Sequence, residues 1–248
     1  MLDLIGSIAG MMAVAINLVA FTLFLPGPLS RRLSLAAIAG AWVGLATGLG
    51  AAGLLTFSPE HPVPLVGVLS AAPLITVGAL ALLSPRVRSA LMGIPMQVLI
   101  GLNAMRTLGA LFLLLYAAGR LSGPFPFSAG LGDIITGAFA IPLALTAGRS
   151  QKLSVRAITW WNAFGTLDLV TAVVLGLTSA AGSPLQLIHA GVGSEAMQYL
   201  PYCLIPTVLV PFYLITHAIV AAQLRARAHG PEAVDSALPT LRRPATSA

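Results

Sequence analysis

The sequence predicts an all-α fold: a polytopic membrane protein built as a seven-transmembrane-helix bundle, with the N-terminus outside and the C-terminus cytoplasmic. Composition is the first observation behind this prediction. Only 8% of the 248 residues are charged and 57% are hydrophobic, whereas about 25% of residues are charged in an ordinary soluble domain. So few polar side chains cannot coat a water-soluble globule of this length. The fold therefore requires a lipid bilayer as its solvent.

The second observation is the length of the apolar segments. A helix needs roughly 20 mainly apolar residues to cross a hydrocarbon core about 30 Å thick, and seven segments within residues 1–224 reach that length. Stretches rich in Pro, Gly or charge separate them, and strict apolar–polar alternation, which a transmembrane strand would show, is missing. The predicted spans lie at about 2–25, 33–57, 63–83, 94–118, 127–147, 157–179 and 201–224.

The third observation is the distribution of basic residues, which concentrate on the cytoplasmic side of membrane proteins. Eleven of the 13 fall in the first, third and fifth connections or after the last span. Only Arg120 lies on the opposite side, and Arg106 lies within a span. This asymmetry predicts the orientation given above. Residues 225–248 are predicted to form a disordered, basic cytoplasmic tail that anchors the topology.

Individual spans carry local signals of their own. The first contains Asp3 and lacks the basic start of a signal peptide, so we expect it to be a retained helix. Prolines in the third, fifth and seventh spans free backbone carbonyls, which a bilayer tolerates only where protein or water meets them. The IPTVLVP stretch (205–211) therefore predicts a bent, inward-facing seventh helix. The connection at 180–200 is expected to be either a short interfacial helix or a partial lid.

The second span contains a stripe of small residues at every fourth position, a pattern along which two membrane helices approach closely. Packing within the chain is the favoured interpretation. A partner helix or a homo-oligomer is the alternative. The stripe consists of Ala36, Gly40, Gly44, Gly48 and Ala52.

Ionisable residues within three spans need a separate explanation. An Arg or Asp at a helix centre costs about 2.5–3.5 kcal/mol on translocon scales, and such residues normally face the bundle interior and pair. Arg106 and Asp168 lie near the middle of the fourth and sixth spans, and Asp133 lies in the fifth. We expect the long, planar guanidinium of Arg106 to reach the carboxylates. Trp161, in the sixth span, is predicted to be an interfacial anchor first and a pocket wall second.

The predicted substrate- or proton-binding set adds three residues to these. Asn103 shares a helix face with Arg106 at a spacing of three, Asn162 precedes Asp168 in the sixth span, and His217 lies in the seventh. One arginine between two aspartates leaves a spare carboxyl group, and desolvation favours its neutral form. The complete set is Asp133, Asp168, Arg106, Asn103, Asn162 and His217.

These features predict a small-solute or proton-coupled transporter, or a proton relay, in the cytoplasmic (inner) membrane of a bacterium. The Ala-, Leu- and Arg-rich composition is typical of a GC-rich bacterial genome. An enzyme acting on a lipid or quinone and a non-catalytic subunit of a membrane complex remain as alternatives. No P-loop, H-E-x-x-H or G-x-S-x-G motif is present, and the single cysteine excludes a multi-cysteine metal site. We expect no cofactor, no metal and no nucleic-acid partner; the bilayer is the expected surroundings.

Overall fold

The structure is a computed structural model that describes residues 1–57, 63–147 and 152–235. Within these ranges the chain is helical, and no strand is assigned to them. Seven helical stretches are long and apolar enough to cross a membrane, which confirms this part of the prediction. The α-helices are α1 (Leu2–Phe24), α2 (Leu29–Ala51), α3 (Leu65–Leu83), α4 (Pro85–Met92), α5 (Met96–Leu102), α6 (Ala110–Ala117), α7 (Phe125–Thr146), α8 (Lys152–Ser179) and α9 (Val210–Asp235).

Two of the seven stretches are not continuous α-helix. The fourth, Met96–Ala117, consists of α5, a 3₁₀ segment at Asn103–Gly109, and α6. The seventh, Ile205–Ala228, begins with a π-helical segment at Ile205–Leu209 that leads into α9. Segments of 3₁₀ helix in the middle of a helix often mark a functional hinge, and π segments are frequent at functional sites.

The second helix begins and ends earlier than its predicted bounds of 33 and 57. It begins at Leu29 because Arg31 and Arg32 do not interrupt it. Their guanidinium groups turn back and donate to the carbonyls of Pro26 and Leu25, at 3.2 Å and 3.0 Å, near the end of α1. Cations are favourable at this end of a helix dipole. The helix ends at Ala51, just before Gly53, whose φ of +72° is incompatible with a continuing helix.

The last helix continues past its predicted end at 224. Helix α9 runs to Asp235, so the first part of the predicted disordered tail is helical. Arginine and alanine, which alternate in RARA at 225–228, are good helix formers. Residues 236–248, the remainder of that tail, lie outside the described residues.

Connections that were predicted to share a side of the bundle contact one another. Near the N-terminus, Arg120 forms an ion pair with Asp3, and the hydrogen bond to Asp3 raises the pKa of the Arg120 guanidinium. At the same end, the amide N–H of Phe57 donates to the Gln198 side chain. Gln198 is the last residue of a short 3₁₀ turn, Glu195–Gln198. This turn belongs to the connection between α8 and the π-helical segment, which folds over this end of the bundle.

At the other end, Gln223 Nε2 donates to the carbonyls of Met92 and Ile94, at 3.0 Å and 2.8 Å. This ties α9 to the connection between α4 and α5. The half of the bundle next to it contains the largest apolar cluster, to which α1, α5, α7, α8 and α9 all contribute. Its fully buried members include Leu99, Ile100, Ala140, Ile158 and Val220.

The π-helical segment is held by neighbouring polar side chains. Ser70 Oγ of α3 donates to the carbonyl of Pro206 at 2.5 Å, and Trp42 Nε1 of α2 donates to the carbonyl of Thr207 at 3.0 Å. These bonds supply the protein partners that the proline-containing stretch was expected to need. Thr207, Val208 and Leu209 are buried, so this part of the seventh stretch faces inward.

The small-residue stripe of α2 lies on the outside of the chain. All five of its residues are exposed. A Cβ placed at Gly40, Gly44 or Gly48 would meet nothing within 4 Å. Packing within the chain, the favoured interpretation of this stripe, is therefore not what the structure contains.

Candidate functional site

Arg106 occupies the centre of the fourth stretch, where the helix narrows to 3₁₀ geometry. Arg106 is 2% exposed and is the largest fully buried side chain among the described residues. Glycines of α7 permit this close packing, since a Cβ at Gly137 would lie 2.6 Å from the backbone nitrogen of Thr107. The guanidinium is therefore placed inside the bundle, away from its outer surface.

Two aspartates on different helices bind this guanidinium. Nε of Arg106 donates to Oδ1 of Asp133 on α7 at 2.6 Å, and Nη2 donates to Oδ2 of Asp168 on α8 at 2.5 Å. The side chain of Asp133 is 16% exposed and that of Asp168 is 6% exposed. The cluster thus contains one fixed positive charge between two acids, one of which is more accessible than the other.

The third nitrogen of the guanidinium binds α8 and α9. Nη1 lies 3.3 Å from the carbonyl oxygen of Gly165 and 3.0 Å from Nε2 of His217. Since arginine can only donate, Nε2 must be the acceptor and the ring proton must lie on Nδ1. That Nδ1–H donates to Oδ1 of Asn162 at 2.9 Å. The contact with Arg106 therefore fixes the imidazole tautomer.

Gly132 and Gly165 make room for these contacts. A Cβ at Gly165 would lie 2.7 Å from two atoms of the His217 ring and 2.9 Å from the Thr136 methyl group. A Cβ at Gly132 would overlap the carboxyl group of Asp168. Both positions lack the space for a side chain because an ionisable group occupies it.

Five of the six predicted residues meet in this cluster, and Asn103 does not join them. Asn103 Nδ2 donates to the carbonyl of Leu99 and to Oγ1 of Thr216 on α9, at 2.9 Å and 3.4 Å. Three residues of 3₁₀ helix advance about 6 Å along the axis. Asn103 therefore shares a face with Arg106 but lies one layer away from the charges.

Residues outside the predicted set complete the surroundings of the guanidinium. The ring of Tyr213 lies 5.9 Å from the guanidinium carbon, and its hydroxyl accepts a hydrogen bond from Asn17 of α1. Trp161 is buried, packs against His217 and donates to the carbonyl of Thr136. It is a wall of the site, the second of its two predicted roles. The spacing of four between Tyr213 and His217 was the signal that could have identified Tyr213.

A crevice connects the cluster with the end of the bundle at which Asp3 lies. Its volume is about 40 Å³, which is room for about two or three water molecules. Gly6, Gly10 and Tyr202 line it together with Asp133 and Arg106 of the cluster. On the opposite side of the cluster lies the large apolar core described above. Asp133 is thus the acid next to the crevice.

Two further features of the described residues concern metal binding and an unpaired hydroxyl group. Among the described residues, no group of three or more His, Cys, Asp and Glu side chains could hold a metal ion. The buried hydroxyl of Thr136 has no hydrogen-bond partner in the described part of the chain. No hydrogen bond joins Thr136 to Asp133 among the described residues.

Residues 63–225 match the model of a protein family described as a domain of unknown function (DUF8737), and the chain belongs to this family. The matched range begins just before α3 and contains all six residues of the predicted set. No curated protein and no solved structure matches the chain.

Proposed function

We propose that this member of the DUF8737 family moves protons across a membrane, alone or coupled to a small solute. In this proposal Asp133 and Asp168 bind the proton and Arg106 is their fixed counter-ion. The observation that supports it best is the single guanidinium shared by two carboxyl groups of different helices, at 2.6 Å and 2.5 Å. Ionisable residues inside a membrane bundle are commonly proton or ion sites.

Proton binding changes the net charge of the Arg106, Asp133 and Asp168 side chains. With both acids ionised the three side chains carry a net charge of −1, and one bound proton makes them neutral. A protonated carboxyl group can no longer bind the guanidinium as an anion, so that contact weakens and the other is favoured. Proton binding therefore changes which of the two helices, α7 or α8, Arg106 binds more strongly.

Access to the cluster is unequal on its two sides. The crevice borders Asp133 on the side of the bundle that contains Gly6 and Tyr202, while packed apolar side chains fill the opposite half. Transport would require that half to open and the crevice to close. The 3₁₀ segment in the fourth stretch and the π segment in the seventh are the elements at which such a movement would occur.

The proposal places the protein in the bacterial cytoplasmic membrane with its N-terminus outside. The positive-inside distribution supports this orientation, since 11 of 13 basic residues lie on one predicted side. The crevice would then face the periplasm. Protons would enter at Asp133, transfer to the more buried Asp168, and leave toward the cytoplasm past His217.

Proton flux into proteoliposomes tests the proposal. The protein is reconstituted with a trapped pH-sensitive dye, a pH gradient is imposed, and wild type is compared with D133N, D168N and R106Q. We expect each variant to lose at least tenfold in flux, because each removes a proton site or its counter-ion. The matched control is D3N, which removes an exposed carboxylate and should retain flux.

Unchanged flux in D133N, D168N and R106Q together would refute the proposal. Size-exclusion profiles and melting temperatures measured on the same preparations separate loss of activity from loss of folding. If wild type itself moves no protons in the absence of solute, the assay is repeated with candidate solutes on one side of the membrane. The absence of any solute-coupled proton flux would then also refute the proposal.

A second candidate function is that of a non-catalytic subunit of a membrane complex. The observation that favours it is the exposed stripe from Ala36 to Ala52, since a Cβ at its three glycines would meet none of the described residues within 4 Å. Stripes of this kind contact another transmembrane helix. In this reading the charged cluster would fix the register of α5 to α9 without carrying protons.

A further inference from the structure

A second pocket lies at the same end of the bundle as the crevice, between α3 and α8. Its volume is about 70 Å³ and its walls are almost entirely apolar. The lining includes Val66, Gly67, Val173, Gly176 and Leu177 from these two helices. None of the five clustered residues around Arg106 lines it, so the proposed proton site gives no reason for its presence.

One buried polar group points to a ligand. Gln198, 6% exposed, lines the pocket. Its Oε1 accepts the backbone N–H of Phe57 at 2.8 Å, and because that N–H can only donate, the amide orientation is fixed. The remaining group is Nε2, which has no hydrogen-bond partner in the described chain. A buried N–H donor without an acceptor is unfavourable, and an acceptor on a bound molecule would satisfy it.

The level of Gln198 in the bundle indicates where this acceptor would lie. Around it are Phe57, which follows α2, Phe125, the first residue of α7, and Ala180, which follows α8. All are at helix ends, the level at which a bilayer carries the polar parts of its lipids. The pocket continues from there toward Ser70 and Val210. Ser70 adds no free donor, since its hydroxyl is bound to the Pro206 carbonyl.

The lateral side of the pocket allows an elongated molecule to extend beyond it. Gly67 and Leu177, which face each other across the gap between α3 and α8, are partly exposed. On a bundle that crosses a membrane this gap faces acyl chains. The pocket therefore combines a polar donor at the interface, apolar walls below it and an opening toward lipid.

We propose that this pocket binds one glycerolipid molecule, whose ester carbonyl oxygen accepts the free Nε2–H of Gln198 and whose acyl chain enters between α3 and α8. The site is independent of the proton-transport proposal. It depends only on the pocket, the fixed amide and the placement of both at the membrane interface.

Native mass spectrometry of the full chain in detergent tests the proposal with two synthetic lipids. Dioleoyl phosphatidylcholine is compared with its dialkyl-ether analogue, which has the same headgroup and lacks the ester carbonyls. We expect wild type to bind the diester roughly three- to tenfold more tightly, the range of one hydrogen bond. At an alkaline pH that keeps the glutamate ionised, Q198E keeps an acceptor for Phe57 and loses the donor, so it should bind the two lipids equally.

A pocket-filling variant and a matched control complete the design. Gly176→Leu should weaken binding of both lipids because the leucine occupies the pocket. Gly78→Leu adds the same side chain to α3 at a position where a Cβ meets nothing within 4 Å, and binding should be unchanged.

Equal affinity of wild type for diester and diether lipid would overturn the proposal. So would a full diester preference in Q198E. If Q198E does not fold, the affinities of wild type for the diester and diether lipids alone decide whether the proposal holds. Recovery of a quinone instead of a glycerolipid from purified wild type, and its loss in Gly176→Leu, would also reject a glycerolipid as the occupant.

Discussion

The guanidinium of Arg106 donates to four acceptors on three other helices, two carboxylates, one backbone carbonyl and one imidazole nitrogen. A planar fork of five N–H donors suits this arrangement, whereas the compact ammonium group of lysine does not. Asp168 and His217 are buried, and each would lose a hydrogen-bond donor without it. The Arg106 side chain therefore holds these helices together in addition to carrying a charge.

Neutralising this residue should destabilise the fold. Arg106→Gln leaves the carboxylates of Asp133 and Asp168 without a counter-ion, and removing one partner from a buried ion pair costs about 3–5 kcal/mol. Combining it with D133N and D168N removes the uncompensated charge, so the triple variant should recover part of that loss. Thermal or denaturant unfolding in detergent measures both. A triple variant that is less stable than R106Q would contradict this electrostatic explanation.

Gly165 provides a steric test at the same site. Glycine to alanine in a helix normally stabilises by about 1 kcal/mol. At Gly165 the new methyl group would lie 2.7 Å from the His217 ring, so we expect a destabilisation of about 1–3 kcal/mol, typical of overpacking. Gly44→Ala, on the exposed face of α2, is the control and should be neutral or stabilising. Equal effects of the two substitutions would show that the space at Gly165 is not limiting.

Buried charge was the part of the site that could be predicted from sequence. Arg106, Asp133 and Asp168 had to find partners because an unpaired charge in a bilayer is costly. Gly132 and Gly165 were not predictable, since glycine is abundant throughout this chain and only the approach of a particular side chain distinguishes them. Asn103 was assigned to the cluster from its helix face, but the face does not specify depth along the axis.

At the scale of elements, the π segment depends on bonds from two other helices. Ser70→Ala removes the donor to the Pro206 carbonyl, and we expect a loss of stability of about 1 kcal/mol, the usual value of a hydrogen bond. Ser7→Ala is the control, since Ser7 Oγ bonds only the carbonyl of Asp3 four residues earlier in the same exposed turn. Identical melting temperatures of S70A and wild type would indicate that the bond from Ser70 does not stabilise the π segment.

If the small-residue stripe of α2 contacts another transmembrane helix, a bulky side chain within the stripe should prevent that assembly. Gly44→Leu should disrupt a contact with a neighbouring helix while leaving the chain folded, because the position is exposed. Crosslinking in native membranes, followed by size-exclusion chromatography, measures the loss of a complex. Ile38→Ala, also exposed on α2 but outside the stripe, is the control. A wild-type chain that is monomeric in both measurements would eliminate the subunit interpretation.

At the scale of the whole molecule, accessibility to a membrane-impermeant maleimide tests the orientation. Single cysteines replace Leu187, 78% exposed, or Arg86, exposed at the other end of the bundle, in a Cys203→Ser background. We expect L187C to be labelled in intact cells and R86C only after lysis, since the latter lies on the predicted cytoplasmic side. The reverse pattern would invert the topology.

The number of long apolar helices was predictable from sequence because hydrocarbon thickness sets their length. Their bounds were less predictable. Arg31 and Arg32 were placed before the second helix, yet they belong to it because their long side chains reach back to the end of α1. The 3₁₀ segment at Asn103–Gly109 had no sequence signal, since no proline lies within it and its cause is tight contact with the glycines of α7.

Helix α9 has a mechanical consequence. Its 26 residues form a rod of about 39 Å at 1.5 Å per residue, and the π segment lies at one end of it. A tilt of about 10° at that point would displace the far end of the rod by roughly 7 Å, by the same geometry. A small rearrangement at the π segment would thus be amplified into a large displacement of the helix end at Asp235.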